Sequence, residues 1–534
     1  MNPARNTDRR TFLKAVGGVA AGIVAAAPCL AYAQPSGPFV RRDVRKLDPG
    51  GPEIKALRAG IGVMKARPKA DVTSWAFQAN IHGLASHVPN DLWRQCQHGQ
   101  WWFFPWHRMY LYYFERILRK AIQEAGVTLP ADFALPYWNY SDEDAARTLP
   151  DVFRARTYPS ATGMDVPNPL FEKDRRPDIN DANEPTPLDP DTVSYSDAFG
   201  LTQFVSTSDG NDGFGGQLVP APVHQPNLQH GGLESQPHDV VHDGIGGLMG
   251  NPDTAANDPI FWLHHCNIDR LWNRWLGQNN VNPDVNSAWA LQTFTLADEN
   301  GNAVTQPVYR VLEYVTGNLI DYKYDDAPAA APASVAAPAL VAKAVRQPPT
   351  GEHAAADTSL SSRPKRLASF PPQLHLTGNP TPVKISVPEP HRQALALHIE
   401  GKAAPEKQLL LEVGGIDFDS LPRSGYYDIY LNLPEGETPS RKSKSYVGTL
   451  STFALRQQAH ADRGQPLRSG SVSFPISRVL KRLEQGRAAA ATEMTVTFMP
   501  RELPAAERND TPRLSFRYVG VQEAEKPAAA QRKP

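Results

Sequence analysis

Histidines are concentrated in one part of this chain, at spacings that suit a metal site. Ten of the fifteen histidines lie between positions 82 and 265. One set comprises His82, His98 and His107, and the other comprises His238, His242 and the adjacent pair His264 and His265. Three imidazoles for each metal ion, on facing helices, are typical of copper or zinc sites.

Two neighbouring sets of histidines indicate a pair of metal ions and favour copper. Zinc is expected to prefer a single site that also holds water or a carboxylate. Neither set has a carboxylate at ligand spacing, so a pair of iron ions fits these residues less well than a pair of copper ions. The sequence therefore predicts a dicopper centre.

An aromatic run separates His98 from His107 in the stretch 98–115, HGQWWFFPWHRMYLYYFE. Pro105 suits a first helical turn, so we expect a helix over Pro105–Gly126 with His107 in its opening turn. The rings would exclude water from a metal site. Taken alone, the stretch is equally typical of a protein core that contains a hydrogen-bonded histidine.

Helical patterns surround these histidines. We expect three further helices, over Gly51–Lys69, Ser74–His87 and Asp258–Trp275. His82 lies in the second of them, and the spacing of His238 and His242 would place both on one helix face. Asp258 is the expected N-cap of the third, with Pro259 in its first position. Together with the loop-rich stretch 150–237, the pattern predicts a mainly α domain, a loop-rich helix bundle, over residues 34–326; the resemblance given below implies that this is the catalytic domain.

The pattern changes in the last third of the chain. Residues 327–369 are Pro/Ala-rich and then polar, which predicts a linker or a loosely packed covering segment. Beyond them, apolar residues alternate with a period of two, which predicts a separate all-β sandwich or barrel domain over 370–522. We expect one of its strands over 444–453, KSYVGTLSTF. We also expect one helix, Ile476–Gln485, to interrupt the strands, and a disordered tail over 523–534.

The N-terminus has the three regions of an export signal. Arg9 and Arg10 precede an Ala/Gly/Val-rich run and the small residues before position 34. This predicts a twin-arginine signal over residues 1–33, cleaved after Ala33, and a periplasmic or secreted protein. Only Cys96 and Cys266 then remain, so a disulfide framework is not expected. A net charge of −1 argues against nucleic acid as a partner, and no membrane association is expected after signal removal.

Two motifs around these histidines resemble the type-3 copper proteins, the group of tyrosinases, catechol oxidases and haemocyanins. The chain is most similar to the plant-type polyphenol oxidases. The first signature comprises His98, Phe103, Phe104, Trp106, His107, Arg108, Leu111 and Glu115. The second comprises Asp258, Pro259, Phe261, Trp262, His265 and Asp269. The resemblance is strong over residues 41–325 and fainter in the C-terminal domain.

The resemblance implies two copper ions with O₂ as co-substrate. It assigns one copper to His82, His98 and His107, and the other to His238, His242 and His265. His264 is then expected to pack beside the site, and Arg108, Glu115 and Asp269 to support it. A partner that loads copper or assists export is also compatible with this group.

Two further features of the group are expected here. Cys96 stands at the offset at which fungal tyrosinases and molluscan haemocyanins form a thioether, which implies a Cys96–His98 crosslink; the plant-type position is Ser86. Tyr322 and Tyr324 match the motif that closes the catalytic domain of this group. Arg41 or Arg42 is expected to stack on that motif.

The resemblance also implies the activity. Glu234, with Asp239, is expected to hold a water that serves as the base for a phenol, although monophenol-active members commonly have Asn at the position of Asp239. We expect hydroxylation of small monophenols and oxidation of o-diphenols, with the C-terminal domain shielding the site until it is displaced. A catechol oxidase without monophenol activity and a haemocyanin-like oxygen carrier remain the alternatives.

Overall fold

The computed structural model describes residues 39–83, 92–93, 95–160, 162–206, 213–222, 230–327, 335–338, 365–369, 374–404, 406–459, 468–484 and 493–525. The predicted signal peptide, most of the predicted linker and residues 526–534 of the predicted tail lie outside these ranges. Within them, no helix is long and apolar enough to cross a bilayer.

Helices form the framework of residues 39–327. The main ones are α1 (Pro52–Ala66), α2 (Trp75–His82), α3 (Phe103–Glu124), α4 (Val240–Ile245) and α5 (Pro259–Leu276). Single turns occur at Val44–Lys46, Asp144–Arg147, Asp151–Arg154, Pro190–Val193, Ser196–Phe199, Ala255–Asn257, Ala288–Leu291 and Val308–Val311. Long irregular segments connect them, as the sequence predicted.

Local chemistry explains where two of these helices begin and end. The Asp258 side chain accepts from the Ile260 amide and Pro259 takes the first position of α5, which confirms the predicted N-cap. Helix α2 ends at His82, earlier than the predicted His87, and residues 84–87 lie outside the described ranges. A Cβ on Gly83 would lie 2.1 Å from the Asp253 carbonyl oxygen, so the chain leaves α2 through a close contact that only glycine permits.

Helix α3 is the centre of this framework. A Cβ on Gly60 of α1 would lie 2.6 Å from Ile122 of α3, so glycine allows α1 and α3 to pack closely. On another side, Phe114 of α3 stacks on Trp262 of α5 with ring centroids 3.3 Å apart. The aromatic run of α3 is therefore core packing as well as the support of a histidine.

Two short strands close this part of the chain. Strand β1 (Phe39–Arg41) pairs in parallel with β6 (Tyr322–Tyr324). The Arg41 guanidinium lies 3.5 Å from the centre of the Tyr322 ring, which settles the predicted stacking in favour of Arg41. The other strands of this part form two antiparallel hairpins, β2 (Thr157–Pro159) with β3 (Asp165–Pro167) and β4 (Thr293–Ala297) with β5 (Ala303–Pro307).

Arg41 also belongs to a buried ion network that joins distant elements. It donates to Glu115 of α3 at 3.1 Å and to Asp269 of α5 at 3.2 Å. Arg108 donates to Asp269, and both tyrosine hydroxyls of β6 donate to Asp269 at 2.6 Å. The residues expected to support the histidines therefore fasten α3 and α5 to each other and to both ends of this part of the chain.

The C-terminal part is a β-sandwich. Its strands are β7 (Lys365–Ser369), β8 (Leu374–Leu376), β9 (Thr381–Ser386), β10 (Lys407–Asp417), β11 (Tyr426–Leu431), β12 (Tyr446–Leu450), β13 (Ser469–Pro475), β14 (Glu493–Arg501), β15 (Leu514–Phe516) and β16 (Tyr518–Glu525). One antiparallel sheet has the order β13-β10-β16-β7, the other has β12-β11-β14-β9, and β8 pairs with β15. Leu411 of the first sheet and Phe498 of the second are buried in one core.

The sandwich departs from the prediction in three places. Strand β7 falls inside the predicted linker; it is an edge strand, held on one side only, and needs no alternating pattern. Strand β16 continues to Glu525, inside the predicted tail. The described residues contain α6 (Glu389–Ile399), α7 (Thr452–Ala459) and α8 (Ser477–Glu484), whereas one helix was predicted. The segment 444–453 was read as one strand, but it ends at Leu450 and continues as α7.

Candidate metal centre

The structure brings all the predicted ligand histidines into one buried cluster, together with His264. His82 is the last residue of α2, and His107 lies in the opening turns of α3. His238 lies in a π-helical turn that leads into α4, and His242 lies on α4 itself. His264 and His265 lie on α5. His98, in the loop before α3, completes the cluster.

Five of these rings are fixed through their Nδ1 atoms. The acceptors and distances are Pro252 O for His82 (3.1 Å), Glu234 Oε1 for His98 (3.1 Å), Phe103 O for His107 (2.8 Å), Asp239 Oδ1 for His238 (2.9 Å) and Met249 O for His242 (2.8 Å). Each acceptor favours the tautomer with its proton on Nδ1 and leaves the lone pair on Nε2. The loop 249–252 thus orients two rings through its carbonyls.

The Nε2 atoms of His82 and His98 lie 3.3 Å from each other, whereas other ring nitrogens of the cluster have no partner in the described part of the chain. Among the described residues, the buried Nε2 atoms of His107, His238, His242 and His265 have no hydrogen-bond partner. Buried polar atoms are rarely left unpaired, and a set of convergent imidazole lone pairs suits copper. These residues therefore fit the dicopper centre that the sequence predicts.

The ring nitrogens do not separate into the two predicted triads. Groups with ligand atoms within 4.8 Å of one another are His238, His242, His264 and His265 on one side, and His82, His107 and His265 on the other. His265 thus lies between the two sets, and its ring stacks on that of His107 at 4.5 Å. The Nδ1 atom of His264 lies 3.2 Å from the Tyr140 hydroxyl. The allocation of three histidines to each copper stays a prediction.

Burial keeps these imidazoles neutral. Desolvation holds the pKa of His107, His242 and His265 well below the usual value, and neighbouring histidines lower it further. Neutral imidazole is the form that binds a metal ion. The cluster is therefore prepared for cations without first losing protons.

Cys96 lies beside the first histidine set. It is buried, and its Sγ atom lies within 4.8 Å of ring nitrogens of both His82 and His98. This proximity is compatible with the predicted Cys96–His98 crosslink, which stays a prediction.

Glu234 lies against His98, on the side of the ring that faces away from His82. Its carboxylate accepts from the Gly99 amide at 2.9 Å as well as from His98. Burial raises the pKa of Glu234 to about 8. A carboxyl group with a pKa in this range can exchange a proton near neutral pH, which is what a general base requires.

Asp239 has an imidazole on each oxygen. Its Oδ1 lies 2.9 Å from His238 Nδ1, and its Oδ2 lies 2.7 Å from His230 Nδ1. Burial alone would lower the pKa of His230, but the carboxylates of Glu234 and Asp239 raise it to about 9. His230 was not identified from the sequence.

The C-terminal sandwich contributes a residue to the cluster. Phe453, at the start of α7, is fully buried and packs with the helical core rather than with the core of its own domain. Its ring stacks on His242 with centroids 4.0 Å apart and lies 5.7 Å from His238 and 6.2 Å from His98. The ring therefore covers one side of the histidine cluster.

Asp243, next to His242, fastens the segment that carries Phe453. One of its oxygens accepts from the Phe453 amide at 2.8 Å and from the Thr452 hydroxyl at 2.6 Å, and the other accepts from the Ser451 hydroxyl at 2.6 Å. Burial raises the pKa of Asp243 to about 7. Helix α4 thus carries both a predicted ligand and the anchor of the covering residue.

A second buried contact joins the two parts of the chain. Glu502, after β14, accepts from Arg176 at 2.7 Å, from the Asp189 amide at 2.6 Å and from the Thr192 hydroxyl at 2.6 Å. The two contacts together hold the sandwich against the helical part.

The residues that sequence reasoning missed here share one property. Phe453 belongs to the predicted strand 444–453, and neither Asp243 nor His230 belongs to one of the two signatures. Phe453 and Asp243 contact residues that are distant in sequence, and His230 contacts Asp239 across an irregular turn. The signal that could have found His230 is its spacing of four residues before Glu234.

Comparisons with known proteins agree with this architecture. Residues 72–278 match the family described as the common central domain of tyrosinase, and residues 367–513 match a domain of unknown function. The tyrosinase HcTyr1 of Hahella sp. (strain CCB-MM4) is 33% identical in an alignment 452 positions long, which covers 79% of this chain and 87% of that protein. The latent form of the chloroplastic polyphenol oxidase of Prunus armeniaca is 27% identical, over 82% of this chain and 69% of that protein.

Solved structures show the same two-part fold. A recombinant latent aurone synthase, a polyphenol oxidase, has a TM-score of 0.52 at 20% identity, covering 92% of this chain and 90% of its own. The latent apple tyrosinase has a TM-score of 0.50 at 22% identity, covering 92% of this chain and 98% of its own.

Proposed function

Because the chain belongs to the tyrosinase family of type-3 copper oxidoreductases, we propose that it hydroxylates small monophenols at the ortho position and oxidises o-diphenols to o-quinones. The observation that supports the proposal best is the set of buried imidazoles whose Nε2 atoms converge without partners beside Glu234. Two copper ions held by these imidazoles would supply the exchange of electrons between the phenol and O₂.

The side chains around the cluster have separate tasks in this proposal. The Nδ1 acceptors keep the rings in the tautomer that binds metal. The aromatic side chains of α3 and α5 exclude water from the cluster. Glu234 accepts the proton of a monophenol through the water that it is expected to hold, a step that a catechol oxidase does not need for its two-electron oxidation.

Asp239 supports a second candidate, a catechol oxidase without monophenol activity. Both oxygens of Asp239 already have imidazole partners, so it is less available to share a water with Glu234. Diphenol oxidation requires no such water. The two candidates differ only in the first half of the reaction.

We also propose that the full-length protein is latent. Phe453 occupies the side of the cluster from which a phenol ring would approach His238 and His242. Displacement of the sandwich, by proteolysis near the predicted linker or by a detergent, would remove this ring. The twin-arginine signal predicted over residues 1–33 would export the folded protein to the periplasm or beyond.

A substrate panel tests the proposal. Copper-loaded protein, before and after limited proteolysis, is assayed with tyrosine, tyramine, DOPA and catechol. Oxidation of all four after proteolysis supports the full proposal, and oxidation of DOPA and catechol alone supports the catechol oxidase. Reversible O₂ binding with no turnover of any of them would contradict both and favour an oxygen carrier.

The crosslink has a test of its own. The intact mass of the purified, copper-loaded protein should be lower by two hydrogens than the mass calculated from the mature sequence. A Cys96→Ser variant should show no such deficit. An undiminished mass in the parent protein would rule the thioether out.

A further inference from the structure

His230 occupies a position that no predicted role explains. It is nearly buried, its Nδ1 lies 2.7 Å from Asp239 Oδ2, and the same atom lies 3.7 Å from Glu234 Oε1. The other oxygen of Asp239 lies 2.9 Å from His238 Nδ1. One buried carboxylate therefore bridges two imidazoles, one of which, His238, belongs to the histidine cluster.

We propose that His230 is a positioning residue for the metal centre, acting through Asp239 on His238. The inference rests on the proposed copper site and extends it by one residue. His230 donates to Asp239, Asp239 accepts from His238, and the Nε2 atom of His238, which has no partner among the described residues, would bind the metal.

The first physical reason concerns orientation. A carboxylate that accepts from the Nδ1–H of a ligand histidine fixes its ring and tautomer and increases the basicity of the other nitrogen. Asp239 is adjacent to His238 in sequence, so its own side chain must be held in place to act in this way. The bond from His230 to Oδ2 holds it.

The second reason concerns charge. Asp239 and Glu234 are both buried, and a buried carboxylate without a compensating charge is strongly disfavoured. His230 lies within reach of both, whereas no Lys or Arg among the described residues makes an ion pair with either. His230 thereby stabilises the buried carboxylate of Asp239 beside the ligand histidine His238.

Copper retention tests the proposal without any substrate. Full-length protein is loaded with copper and dialysed against graded concentrations of a chelator, and the copper that remains per chain is measured by mass spectrometry. The variant is His230→Gln, which keeps an amide donor but not the charge. The control is His375→Gln, which changes an exposed histidine of the sandwich. Loss of a group that supports a ligand typically weakens metal affinity by about 10- to 100-fold.

We expect His230→Gln to lose one of two copper ions at about tenfold lower chelator concentration than the parent, and His375→Gln to behave like the parent. Asp239→Asn provides a second background for the same substitution. Its asparagine oxygen still accepts from His238, but it has no negative charge for His230 to compensate. In that background His230→Gln should change retention by less than about threefold, a non-additivity expected only of coupled residues.

Two outcomes would overturn the proposal. The first is parent-like copper retention in His230→Gln; if monophenol oxidation is lost at the same time, His230 belongs with a catalytic water instead. The second is an equal loss of copper from His230→Gln in both backgrounds. If the parent retains two copper ions but oxidises no phenol, the proposed function fails while this inference stands.

Discussion

The ring of Phe453 lies parallel to the imidazole of His242, with centroids 4.0 Å apart and an angle of 12° between the planes. The two residues come from different domains, and His242 is a predicted copper ligand. In the latent form that we propose, a phenol would need the surface that Phe453 covers. We therefore expect this stacking to be the contact through which the sandwich controls the enzyme.

Replacement of Phe453 by alanine should activate the full-length protein. The change removes the covering ring and a buried stacked contact, and each 1.4 kcal/mol lost from the covered state raises the open fraction about tenfold. We expect the rate with catechol to rise about tenfold or more before any proteolysis. Leu397→Ala, at an exposed site on α6 of the same domain, is the control. An unchanged rate in Phe453→Ala would show that another contact closes the site.

The anchor at Asp243 should set how easily the site opens. Ser451→Ala combined with Thr452→Val removes two hydroxyl donors from a buried carboxylate and leaves helix α4 unaltered. Hydrogen bonds to charged groups contribute about 1.5–3 kcal/mol each. The detergent concentration that gives half-maximal activation should therefore fall, while the rate of the fully activated enzyme stays the same. A reduced maximal rate would mean that the change reaches the histidines themselves.

The sequence predicts the residues whose role depends on their neighbours in the chain or on a motif. Asp258 and Pro259 begin α5 as their chemistry requires, and all the predicted ligand histidines meet in one cluster. The roles of Phe453 and His230 could not be predicted from the sequence, because a single phenylalanine or histidine outside a motif does not indicate which residue it contacts. Their roles exist only after the fold brings α7 to α4 and His230 to Asp239. The predicted strand over 444–453 is wrong beyond Leu450 for the same reason, because Asp243 holds the segment that carries Phe453.

Glu234→Gln should separate the two activities. Glutamine keeps an oxygen that accepts from the Gly99 amide and from His98, so copper retention should be unchanged, but it cannot take a proton. Removal of a general base typically lowers a rate by about 10²–10⁴-fold, and we expect this loss for tyramine but a loss of less than about tenfold for catechol. Glu184→Gln, at an exposed glutamate, is the control. Equal losses with both substrates would refute the role of Glu234 as the base.

Asp269 should make the protein sensitive to acid. Burial alone would raise its pKa, but Arg108 and Arg41 hold the pKa of Asp269 below its usual value. The stability it contributes is therefore present above its unfolded pKa of about 4 and is lost as the pH falls through the lower folded value. Asp269→Asn should reduce the free energy of unfolding at pH 7 by about 3–5 kcal/mol, because the buried Arg108 loses its carboxylate partner and Arg41 keeps only Glu115. It should also flatten the decline of that free energy below about pH 4. Denaturant titrations from pH 2.5 to 7 measure both effects, with Asp144→Asn, whose side chain is 96% exposed, as the control. An Asp269→Asn profile parallel to that of the parent would show that other carboxylates determine acid unfolding.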